Sequence, residues 1–200
     1  MLAFNFCPSR TLHPSRRKDY ASEAFLHAID TMPAESAIWH RHWSRQILRQ
    51  EKLDSAPVTD LSLPALRIAL LDPESLLELA RALGAVLCAP RLRLAIAGAQ
   101  VRVLATALGA TALRWLAHGR RWHPGLAGDP YTDVAAAADD VDQLGCGVLM
   151  SAFGTAGRPL ARRAELKLPA HAPARRELPG DEAMDLVLRM SMEWNHVVPA

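Results

Sequence analysis

Histidines, cysteines and serines are the residues of this chain that could carry chemistry, and their spacing tests each possibility. His40 and His42 are two apart, and His118 and His123 are five apart across Gly119. Neither pair has the HxxxH or HExxH spacing that puts two imidazoles on one metal, and no cysteine lies near a histidine. Gly145-Cys146-Gly147 is a GxG without a third glycine at dinucleotide spacing, and there is no GxxxxGK[ST] loop to cradle a phosphate. Ser9, Ser44 and Ser151 sit in no nucleophile motif. Cys7 precedes a proline, and Cys88 closes an apolar run where a small buried side chain is the ordinary reading. The nearest charges to Cys146 are Asp139, Asp140 and Asp142, which oppose a thiolate. The acid pairs Asp139–Asp140 and Asp181–Glu182 point about 100° apart on a helix, and the second suits a helix N-terminus. No catalytic, metal or cofactor constellation emerges, so the expectation is a non-enzymatic binding protein.

The binding-type residues are tryptophan and arginine, which dominate interface hot spots. Trp39 and Trp43 read as core. Trp122 lies in the Pro/Gly loop Arg120–Gly125, between Arg121 and His123. It is either exposed for a partner or folded back onto the domain, and Trp194 has the same ambiguity. Arg120, Arg121 and Trp122 are the candidate partner-binding residues.

These residues must be positioned by helices. Half of the 200 residues are apolar and 22% are charged, the balance of a folded chain long enough for a core. The net charge of +2 is too mild for a nucleic-acid stripe. Three scattered cysteines point to a reducing compartment, with no signal peptide and no uncharged apolar run of about 18 residues. The expected fold is mainly α: an irregular multi-helix single domain over 1–200 with at most a few short strands. Residues 1–15 read as an irregular N-terminal segment in which Phe4 and Phe6 alternate like a strand. A helix is expected over 19–31. Another begins near Pro33–Glu35, with Trp39, Trp43 and Ile47 as its buried stripe. Residues 54–64 read as a linker. Asp72-Pro73-Glu74 opens a helix to about Cys88, ended by Ala89-Pro90. Two or three short helices fill 90–118, with Gly98 and Gly109 as caps. Thr132 or Asp133 caps a helix towards Phe153, whose Gly145 and Gly147 mark close helix approach. Residues 160–168 read as helix or strand, and 169–180 as a proline-rich loop. The last helix opens at Asp181–Glu182, with Met184, Leu188 and Met192 as its stripe and Val187 and Trp194 alongside.

Three stretches together resemble one family. They are Phe4-Asn5-Phe6-Cys7-Pro8-Ser9-Arg10-Thr11-Leu12-His13 (FxFCPxxxLH), the LELxxxLGxVL block within Leu76–His118, and Glu165-Leu166-Lys167-Leu168-Pro169. Their order and the chain length are similar to the SctK family of bacterial type III secretion, which includes YscK and PscK. The resemblance implies a cytoplasmic adaptor without enzymatic activity or cofactor, peripheral to the inner-membrane secretion complex. Its implied partners are the SctQ-type pod protein and the cytoplasmic domain of the SctD-type ring protein. Phe4, Phe6 and Leu12 read as apolar anchors, Pro8 and Pro14 as turn-fixing, and His13 as a cap. A type III chaperone or regulator is one competing reading. An unrecognised ligand-binding protein or enzyme around Cys146 or His118–His123 is another.

Overall fold

The computed structural model describes residues 1–31, 36–95, 98–170 and 176–197. Among these the chain is mainly α, with ten α-helices and no strand. It forms two compact units, and neither is contiguous in sequence. The first comprises Met1–Pro73 and Ala156–His171, the second Glu74–Thr155 and Ala172–Ala200.

The first unit begins with α1 (Leu2–Phe6) and two 3-10 turns, Pro8–Arg10 and Pro14–Arg16. Each turn starts on a proline, whose fixed φ and missing N–H cost nothing at a helix start. His13 caps the second turn, its Nδ1 accepting from the Ser15 N–H at 3.2 Å. The helices α2 (Arg17–Tyr20), α3 (Glu23–Thr31), α4 (Ser36–Gln50) and α5 (Pro64–Ala69) follow. Leu12, Tyr20, Ile29, Trp43 and Ile47 share one core with Leu166, which lies just past α9 (Arg158–Glu165).

The two terminal landmarks of the sequence therefore meet in this unit. The His13 N–H donates to the Leu166 carbonyl at 2.9 Å, and Arg16 Nε donates to the Leu168 carbonyl at 2.8 Å. The Ala170 N–H returns to Ser15 Oγ. Asn5 exchanges both amide groups with the backbone of Val58, pinning the segment between α4 and α5. Arg163 and Lys167, both buried, act as staples. Arg163 donates to the Leu53, Ala56 and Pro159 carbonyls. Lys167 Nζ donates to Ala69 and Leu71 at the C-terminal end of α5, and lies over the Phe4 ring.

The second unit holds α6 (Pro73–Ala95), α7 (Gly98–His118), α8 (Val134–Thr155) and α10 (Gly180–Val197). Leu76, Leu79, Leu83, Val86 and Leu87 of α6 are buried. Asp133 caps α8, accepting from the Ala135 and Ala136 N–H groups. Gly145 of α8 faces Ala80 of α6 so closely that a Cβ would lie 1.8 Å from its carbonyl oxygen, and Gly84 faces Val141 in the same way. Of the two glycines expected to mark close helix approach, Gly145 does so.

Several expectations are corrected. Residues 2–6 are helical: Phe4 and Phe6 lie about 200° apart, so Phe4 is buried and Phe6 is 49% exposed. Trp39 is 37% exposed rather than core, because steps of four residues drift about 40° each and Trp39 falls off the Trp43–Ile47 face. The same drift places Met192 outside. The buried stripe of α10 is Ala183, Leu186, Val187 and Met190. Pro90 does not end α6. Gly109, with φ of 82°, does break α7, whereas Gly98 opens that helix instead of capping one. Residues 158–165 are helix and Leu166–Leu168 form a turn, not a strand. The helix start at Pro33–Glu35, and residues 171–175 of the expected loop, lie outside the described residues.

Candidate partner-binding loop

The segment after α7 starts with a 3-10 turn, Gly119–Arg121, and reaches α8 without a further helix. Its shape follows from Pro90. A proline inside a helix leaves the carbonyl four residues back without its donor and distorts that turn. Here the Leu126 N–H donates to the neighbouring Leu87 carbonyl at 2.8 Å. Gly125, at φ of 90°, lies flat on the Pro90 ring, where a Cβ would come within 2.3 Å. Arg91 holds the far end: Nε donates to the Asp129 carbonyl, Nη1 to Asp140, and the guanidinium lies over Tyr131. The Tyr131 hydroxyl donates to Asp140 Oδ2 at 3.0 Å and lies 3.3 Å from Cys88 Sγ, and burial together with these partners raises its pKa.

Trp122 is folded back: it is 8% exposed and meets Trp115 edge-on at 5.3 Å. Trp194 stacks on Trp115 at 5.9 Å. Of the two readings of Trp122, the folded-back one holds, and the ring shapes the loop from beneath. Arg121 is exposed, lies over Trp122 and pairs with Glu193 at 3.1 Å. Arg120 is exposed and pairs with no carboxylate among the described residues. His123 Nδ1 accepts from the Gly125 N–H, which leaves Nε2 to donate to Glu182 at 3.3 Å. Arg120 and Arg121 therefore form the outer rim of a clamped loop.

Most of the residues weighed for chemistry stand apart among the described residues. Cys88 and Cys146 are buried, while His42 and His118 are exposed. One cluster went unrecognised in the sequence: buried Ser9 Oγ lies 2.9 Å from His40 Nδ1 and 2.8 Å from Ser44 Oγ. Burial first, then the charges of Arg10 and Arg17, lower the His40 pKa. Ser9 is 3% exposed, so this contact ties the Cys7-Pro8-Ser9 turn to α4 and offers no surface to a substrate. The 31-residue separation of Ser9 and His40 left no local signal.

A family model for YOP proteins translocation protein K (YscK) matches residues 1–189. The chain belongs to the YscK family. That match confirms the resemblance drawn from the three landmark stretches and makes this YscK-family chain a type III secretion protein. Searches of curated proteins and of solved structures found no match. No helix among the described residues is long and apolar enough to cross a membrane.

Proposed function

We propose that this YscK-family protein is a non-enzymatic cytoplasmic adaptor of the type III secretion sorting platform. It joins the cytoplasmic domain of the SctD-type inner-membrane ring protein to the SctQ-type pod protein and sits peripheral to the membrane complex. The match over residues 1–189 carries this reading. Support comes from the landmark residues, which are spent on folding: Pro8, Leu12, His13, Leu166 and Lys167 hold the first unit together. Arg120 and Arg121 form one partner-facing rim, with Trp122 as its support.

Co-expression with the SctQ-type protein is expected to give a single co-eluting species in size-exclusion chromatography. Independent elution at micromolar concentration would count against the adaptor. Arg120→Glu with Arg121→Glu is expected to weaken one partner's binding, and unchanged binding and secretion would remove the loop from the interface. Deleting the gene should abolish all secretion, whereas loss of a single effector would indicate a chaperone.

A further inference from the structure

Helix α4 gathers basic side chains on its outer face. Its fifteen residues include three arginines, two histidines and no acid. Several arginines elsewhere are matched: Arg16 with Glu165, Arg81 with Asp142, Arg91 with Asp140, Arg162 with Glu51. Arg41, Arg45 and Arg49 are exposed and pair with no carboxylate among the described residues.

The arrangement is ordered. Trp43, Ser44, Ile47 and Leu48 take the inner face. On the opposite side Ile38, His42, Arg45 and Arg49 follow i, i+4, i+7 and i+11. That spacing confines them to an arc of about 60°, the row along which one helix meets another. Ile38 is 73% exposed at one end of the row, with Trp39 beside it. At the other end His42, Arg45, Gln46, Arg49 and Gln50 line an open depression of about 460 Å³.

We propose that this face docks an acidic helix of a partner protein. The partner's carboxylates, repeating every three to four residues, face Arg45 and Arg49, and an apolar side chain of that helix covers Ile38 and Trp39. Guanidinium groups bind carboxylates bidentately, and the flanking glutamines supply neutral hydrogen bonds at the rim. A lipid surface fits less well. A helix lying in a bilayer interface is apolar along its whole length, and here exposed apolar groups occupy only the first turn.

The proposal rests on the adaptor reading, and its test separates the two. Wild type, Arg45→Glu with Arg49→Glu, Arg45→Gln with Arg49→Gln, and Ile38→Ser are titrated against the SctQ-type protein and the SctD-type cytoplasmic domain separately. Circular dichroism checks the fold, and the glutamine pair serves if charge reversal unfolds the chain. The expected result is a loss of about 100-fold for charge reversal and about tenfold for Ile38→Ser, against one partner only. Added salt should weaken wild type but not the reversed variant. Wild-type binding that every variant retains overturns this proposal and leaves the adaptor standing. If wild type binds neither protein, both readings fall. Binding lost only to phosphatidylglycerol vesicles, or a wild-type dimer lost in light scattering, assigns the face to lipid or to a second copy and overturns the proposal.

Discussion

Lys167 is a charged amine with 3% of its surface exposed, and the chain meets its needs with two carbonyls and an aromatic face. Burial lowers its pKa from 10.5 to about 8, only partly offset by the charge of Asp72. The unfolded chain keeps this proton up to about 10.5 and the folded chain releases it near 8. Between those values the unfolded state binds more protons, so stability rises with pH, by at most about 1.4 kcal/mol per unit. Urea midpoints should therefore climb from pH 8 to 10, and Lys167→Met should flatten that climb. A midpoint in wild type that is level over this range would contradict the buried charge. Above that window the trend reverses at Tyr20. Burial, then the hydrogen bond to Glu51, raises the Tyr20 pKa to about 12, so the unfolded chain loses this proton first. Glu51 is itself held below the usual carboxylate range by Arg162, which reaches it through Nε at 2.7 Å and Nη2 at 2.8 Å.

The α6–α8 crossing is set by backbone meeting backbone. Gly84 and Gly145 each leave room for a carbonyl of the other helix, so no side chain can yield to make space. Gly145→Ala should cost at least about 2 kcal/mol through forced separation of the two helices. Thermal unfolding measures it, with the exposed Gly154→Ala as the control, since a Cβ there meets nothing. Much at this scale was legible beforehand. Pro73 and Asp133 act through their immediate neighbours in sequence, so helix starts are local chemistry, and a glycine inside a helical pattern, as at Gly145, marks a close approach whichever helix makes it. Helix faces were less legible. Stripes at i, i+4, i+8 rotate by about 40° per step, so Trp39 and Met192 leave the core that Trp43 and Met190 join. Pro90 was read as a stop because proline lacks a donor. Gly125 and Leu126, 35 or more residues away, pack on the Pro90 ring and bond the Leu87 carbonyl on this continuing helix. Trp122 was undecided for the same reason: Trp115 and Trp194 were not visible as its partners.

At the scale of the whole molecule, the first unit is completed by residues that follow most of the second. Arg162, Arg163, Leu166 and Lys167 supply its ion pair, its staples and part of its core. A chain ending at residue 155 should consequently lose the first unit. Amide exchange is expected to show unprotected Tyr20, Trp43 and Ile47 there, and native protection at those residues would refute the dependence.

The interleaved path also has a timetable. Residues 1–73 leave the ribosome first but cannot finish folding until the stretch around Leu166 emerges. At about 5–20 residues per second, the wait is roughly 5–20 s. During it Phe4, Leu12 and Tyr20 stand without their cover, and the nascent N-terminus is the part of this protein that most needs a chaperone's shelter.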